Sequence, residues 1–492
     1  MKRKQDNGPF HHQNHKRPVS RRELLGQGFL AATSSVFLPS LSSMLFSRQA
    51  FGLECAGGGG GAAGAGTTRN SVAFLIFDLA GGGNIAGSNV VVGKAGGQED
   101  FLTTYATLGL PDAMSPKVLA PNKEFGLAFH PDSGMLRGMQ SVITDADIKA
   151  KVDGVVFCAS SNDDTANNPH NPAYWIAKAG AAGELVSLVG NAGSVSGGRA
   201  LAPAASVNPA QRPVTIASPD DVLGLVNPGK IATLLGDDKA LAKILAAARS
   251  MSASQLAKFE EKDMPAQLRD LVECGYMASG DLVSQYGPAA LDPRQDPMVT
   301  SIFTNMTGTE GQVASVTKLL LDGYAGAGTI TIGGYDYHNG SRATGEQKTF
   351  EAGVMIGKAI QLAAAKNQDL MIYVFTDGGV VANGTVDNSN NGRGKFGWAG
   401  DSGQRSASYA LVYKKDGKVE IRDNRRQIGA YKDTGSVDET LTKISGSVEN
   451  LTKAVVANYL ALSGKEGSLA SVVGTDPFGA ELEQYLAFNK IR

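Results

Sequence analysis

Residues 71–84 read SVAFLIFDLAGGGN, and the fold class turns on this stretch. A nearly unbroken apolar run closed by glycines is the pattern of a strand buried on both faces. Runs of the same kind recur at 152–160 (VDGVVFCAS), 185–190 (LVSLVG), 214–218 (VTIAS), 329–334 (TITIGG) and 370–379 (LMIYVFTDGG). Between them, apolar residues fall at three- and four-residue spacing over 238–262, 311–325, 347–366 and 447–462, which predicts amphipathic helices. Shorter helices are expected at 132–141 and after His170. Strands alternating with helices predict an α/β protein, a three-layer α/β/α sandwich with a largely parallel central sheet, in one domain from residue 70 to 492.

Composition narrows the function classes. The chain has 492 residues, 42% of them hydrophobic, with 46 Lys+Arg against 47 Asp+Glu. Balanced charge argues against a nucleic-acid binder, which needs a basic excess to neutralise phosphates. Three cysteines cannot build a disulfide scaffold, although Cys158 and Cys274 remain candidates for pairing in an oxidising compartment. The 62 glycines predict many loops.

The N-terminus reads as an address. Residues 1–22 are basic and polar, and residues 24–47 carry no charge. The string Ser20-Arg21-Arg22-Glu23-Leu24-Leu25 resembles the twin-arginine export motif. Residues 1–55 are therefore expected to be a twin-arginine signal peptide, with cleavage between about 45 and 56. Residues 56–69, rich in Gly and Ala, follow as a linker. The expected location is the periplasm or cell envelope. The twin-arginine translocase is the partner during export, and the mature chain has no stable membrane span.

In parallel α/β sheets ligands bind beyond the carboxyl ends of the strands, so the polar residues there are the ones to weigh. The first strand ends Asp78-Leu79-Ala80-Gly81-Gly82-Gly83-Asn84, the strand at 329 runs on through Tyr335-Asp336-Tyr337-His338, and the strand at 370 ends Thr376-Asp377-Gly378-Gly379. Carboxylates and an imidazole at successive strand ends are the ligand types of zinc and manganese sites, and Asp-x-His places both on one side of an extended segment. Beyond the signal peptide only His130, His170 and His338 occur. Asp387-x-Ser389-x-Asn391-Gly392 begins like a calcium loop but has Trp398 where the bidentate Glu belongs. Residues 377–403 are therefore expected to form a long Asn/Gly-rich loop, with Phe396 and Trp398 suited to a lid or a partner contact.

These motifs together carry a resemblance. The order of features resembles a large bacterial family of twin-arginine-exported proteins, catalogued mainly as a domain of unknown function, in the alkaline phosphatase/sulfatase superfamily. Its Gly-Gly-x-Asp and following Asn are similar to Gly81-Gly82-Gly83-Asn84 and Asn89. Its Leu-His-Pro element resembles Phe129-His130-Pro131, and its Ser-His-aromatic element resembles His170 with Tyr174-Trp175. Its Gly-Gly-Trp-Asp-x-His resembles Gly333 through His338. The chain departs from the family at three places: Asn84 stands for an Asp, Thr376-Asp377-Gly378-Gly379 for Ser-Glu-Phe-Gly-Arg, and Asp401-Ser402-Gly403 for Asp-His-Gly.

The resemblance implies an alkaline phosphatase-like fold and a metal-dependent hydrolase of phosphate or sulfate esters. Asp336, His338, Asp377, Asp78, Asn84 and Asp401 are the candidate metal ligands. Ser88 and Thr376 are candidate nucleophiles by position, and His170 and Arg405 are candidates for holding an anionic ester, with Arg342 and Arg393 as further clamps. The divalent cation would be zinc, manganese, magnesium or calcium. The alternative is a catalytically degenerate relative that binds an envelope protein partner and keeps at most a structural metal.

Overall fold

A computed structural model describes residues 71–161, 170–181, 183–190, 213–225 and 288–492. The signal peptide and linker expected over residues 1–69, the helix expected at 238–262 and Cys274 lie outside the described residues.

The opening stretch forms β1 (Ala73–Leu79), and every one of its residues is buried. It sits third in a seven-stranded sheet. The other members are β2 (Val152–Phe157), β3 (Val186–Gly190), β4 (Ala325–Ile332), β5 (Leu370–Thr376), β8 (Ser408–Tyr413) and β9 (Gln427–Ile428), in the spatial order β3-β4-β1-β5-β8-β2-β9. β1 pairs in parallel with β4 on one side and β5 on the other, which aligns Asp78 with Thr331 and Phe375. Only β8 runs against the rest. The protein is thus α/β with a mixed, mostly parallel sheet.

Alternation along β1 sorts its side chains onto two cores. Leu75, Phe77 and Leu79 pack beneath helices Gly134–Val142, Gly308–Leu321 and Arg342–Ala365. Phe74 and Ile76 face the opposite core with Trp175, Val455 and Tyr459 from helices Ala173–Lys178 and Val448–Ala461. Helices on both faces are compatible with a three-layer sandwich.

Local chemistry explains the helix starts. Ser133 accepts a hydrogen bond from the Leu136 N–H at 3.1 Å, so the helix expected from 132 begins at Gly134 instead. That helix crosses Arg342–Ala365 very closely. A Cβ at Gly138 would stand 2.2 Å from the Phe350 carbonyl oxygen, and one at Gly353 would stand 2.2 Å from that of Met135.

Two expectations need correction. The run 214–218 is not a strand: only Val214 bridges to Val189, and Ser218 then caps a short helix from Pro219. The segment 377–403 is not a long loop but a hairpin, β6 (Val380–Asp387) and β7 (Lys395–Asp401), separate from the main sheet. Its Asn-rich part is confined to the turn, where Arg393 and Gly394 take positive φ values of 58° and 71°. Trp398 is no exposed lid residue, being 1% exposed, and Phe396 is half-buried. The Asp387 carboxylate accepts from the Ser389 N–H at 3.0 Å and from the main chain of Ala343 in the first turn of Arg342–Ala365. The Ser389 side chain first, and then these main-chain bonds, hold its carboxyl below the usual range, so Asp387 acts as a turn former and helix-end partner.

Candidate metal centre

Past the end of β4 the chain turns at Gly334, where φ is 91°, and a bond of 3.0 Å from the Tyr337 N–H to the Tyr335 carbonyl folds it around Asp336. Tyr335 and Tyr337 turn inward and are buried, while Asp336 is exposed and His338 borders on solvent. The Tyr335 hydroxyl donates to the Lys348 carbonyl at 2.9 Å. The Tyr337 hydroxyl accepts from the Asn84 N–H at 3.0 Å and donates to the Asn84 side-chain oxygen. A Cβ at Gly81, where φ is 122°, would stand 2.4 Å from the Asp336 nitrogen, so only glycine lets the two segments approach.

Asp401, at the end of β7, completes the group. His338 Nδ1 lies 2.5 Å from an Asp336 oxygen and 3.0 Å from an Asp401 oxygen. Neither approach has hydrogen-bonding geometry. The three side chains present ligand atoms that all lie within 4.8 Å of one another. Two carboxylates and an imidazole at ion-pair distance form a mixed oxygen and nitrogen donor set that could hold a zinc or manganese ion.

Asp78 and Asp377 occupy a different environment. Both are fully buried at the carboxyl ends of β1 and β5. Thr331 donates to one Asp78 oxygen at 3.0 Å, and the other oxygen has no partner. Burial, and then the charge of Asp377, push the Asp78 carboxyl well above its usual range. That shift favours the protonated form of the Asp78 carboxyl.

The remaining candidates are held in other ways. Thr376 is fully buried, its hydroxyl accepting from the Gly83 N–H at 2.6 Å and donating to the Leu79 carbonyl at 2.8 Å. Ser88 is also fully buried and accepts from the Asn84 amide at 2.8 Å. Asn84, bonded to both Ser88 and Tyr337, is the hub of a neutral network. His170 stacks on Phe375, with ring centroids 5.4 Å apart, on the face opposite Thr376. Burial holds its pKa down to about 4, and among the described residues the main chain of Asp377 lies near its ring. Arg405 donates to Ser402 at 2.8 Å, and its main chain abuts Gly379, two residues past Asp377. Arg393 makes a two-oxygen ion pair with Asp132, and Arg342 is buried, so neither is an open clamp.

The structure therefore brings Asp336, His338 and Asp401 together at a solvent-facing position and sets Asp78 beside Asp377 in the interior. Sequence reading missed the cluster beneath β7. There the buried Lys395 ammonium lies 2.9 Å from Glu346, which also binds Arg342 at 2.7 Å, and the Arg342 guanidinium stacks 4.5 Å over the Trp398 ring. The inward alternation of Phe396 and Trp398 was the available signal, masked by the glycines around them. No protein-family model and no curated protein matches this chain.

Proposed function

We propose that this protein is an exported, metal-dependent hydrolase of phosphate or sulfate esters, built on an alkaline phosphatase-like variant of the α/β sandwich. The observation that carries the reading is the convergence of Asp336, His338 and Asp401 beyond the carboxyl ends of the strands. A divalent cation there would neutralise ester oxygens and lower the pKa of a bound water that attacks phosphorus or sulfur. Asp336, His338 and Asp401 would hold that cation, and Arg405 would face the anionic ester.

One observation favours a second reading, a non-catalytic relative that binds an envelope partner. The hydroxyls of Thr376 and Ser88 are buried and committed to other groups. Asn84 brings no charge.

Elemental analysis of chelator-free protein, followed by assays with aryl phosphates and aryl sulfates, separates the two readings. Near-stoichiometric zinc or manganese with turnover supports the hydrolase, and a folded protein with neither supports the binding protein. Export is tested apart from chemistry. Replacing Arg21 and Arg22 with Lys is expected to retain the protein in the cytoplasm, and normal periplasmic recovery would reject the twin-arginine route.

A further inference from the structure

The three ligand side chains do not share a scaffold. Asp336 and His338 lie on the turn that follows β4 of the seven-stranded sheet, whereas Asp401 belongs to the β6–β7 hairpin outside it. At its base the hairpin is tied along its length, since Asp401 pairs with Val380 and the Ser402 N–H donates to the Gly379 carbonyl at 2.7 Å. Further along, the Phe396 N–H donates to the Gly109 carbonyl at 3.0 Å and the Lys395 ammonium to the Asp132 carbonyl at 2.7 Å, so β7 is fixed at both ends and side-chain packing sets the stretch between them, which faces the Asp336–His338 segment.

Trp398 supplies that packing. It lies three residues before Asp401, and its ring sits 6.4 Å from that of Tyr337, the residue between the other two ligands. Arg342 covers the indole with its guanidinium 4.5 Å from the ring centroid, an attraction between a cation and an aromatic face. Glycines make the slot that admits the ring. A Cβ at Gly109 would stand 2.8 Å from the indole, and one at Gly345 would stand 3.2 Å from its nitrogen and 2.8 Å from Tyr337. Tyr337 is anchored in turn to Asn84.

We infer that Trp398 is a positioning residue, a clamp that sets the course of β7 between its fixed ends and so delivers Asp401 to Asp336 and His338. The inference rests on reading those three side chains as a cation centre. A residue whose packing defines the ligand geometry must also respond when the ligand binds, because the coupling is reciprocal. Trp398 is one of only two tryptophans in the chain, Trp175 being the other, so the response is readable.

The test uses manganese alone and zinc alone as probes, titrated into the folded protein by calorimetry. Wild type is expected to bind, and Trp398→Ala to bind at least about tenfold more weakly, as Asp401→Asn does. Trp398→Phe, which keeps a ring in the slot, is expected to stay within about threefold of wild type. In a Trp175→Phe background, zinc is expected to shift the Trp398 emission. A wild type that binds neither ion overturns the cation centre and this inference with it. A wild type that binds, with a folded Trp398→Ala that binds equally well, overturns the positioning role alone. Where Trp398→Ala lacks a cooperative melt, the fluorescence decides, and an emission unmoved by saturating zinc overturns the role.

Discussion

His130 is fully buried, with its Nε2 2.8 Å from the Met114 carbonyl and its Nδ1 accepting from the Asp132 N–H at 3.2 Å. That pair of contacts suits the neutral ring, one nitrogen donating and the other accepting. Burial and then the nearby Lys395 lower its pKa from 6.5 to about 4. The folded state thus resists a proton that the unfolded chain accepts. Stability is unaffected above pH 6.5, is lost as the pH falls from there to about 4, and falls no further below it. The loss from this residue is on the order of 3 kcal/mol. Urea melts from pH 7 to 4 are expected to show a shallower decline in His130→Gln than in wild type, and parallel curves would remove His130 as the source. Thr376 permits a second test. Thr376→Val abandons the Gly83 N–H and the Leu79 carbonyl, a loss of roughly 1–3 kcal/mol. Thr376→Ser keeps both bonds and gives up one buried methyl, a loss of about 1 kcal/mol. A Thr376→Val protein as stable as wild type would show that these bonds contribute nothing.

Between elements, two contacts carry opposing terms that can be weighed. Replacing Gly353 with Ala favours an isolated helix by about 1 kcal/mol. Against that, the new methyl would stand 2.2 Å from the Met135 carbonyl oxygen and push two helices apart, a penalty of roughly 1–3 kcal/mol or more. The penalty wins because its neighbour is main chain, which cannot swing aside. A Gly353→Ala protein as stable as wild type in chemical denaturation would show that the helices separate freely. Under the hairpin, Glu346 is the carboxylate shared by Lys395, Arg342 and Arg137. Glu346→Gln strands buried cations and is expected to lower stability by about 3–5 kcal/mol. Lys395→Met leaves Glu346 with two arginines and is expected to be much milder. The reverse order would mean that the lysine, which burial holds near pKa 8, is the indispensable partner.

For the molecule as a whole, the measurable consequence of a cation centre is linkage. A ligand at one hundred times its dissociation constant stabilises the folded state by about 2.7 kcal/mol. Saturating manganese or zinc is therefore expected to raise the melting temperature of wild type by a few degrees and to leave the Asp336→Ala, His338→Ala double variant unmoved. An equal rise in both would place the ion elsewhere. Among the described residues no helix is long and apolar enough to cross a membrane.

Much of the architecture was legible because it follows from short-range periodicity. β1, β2, β3, β4 and β5 and the three long described helices announce themselves through continuous apolar runs or three- and four-residue spacing. β8, which breaks the parallel pattern, did not, since SYALVY lies among glycines and charges and gains its place only by pairing with β2 and β5. The candidate ligands were legible one by one as polar residues after strands. Their partition was not. That Asp336, His338 and Asp401 meet at the surface while Asp78 and Asp377 are buried inside depends on parallel register and on a hairpin packed across Tyr337. Chemical type and local periodicity reside in the order of residues. Which side chains meet, and whether water reaches them, arises only when segments hundreds of residues apart are packed together.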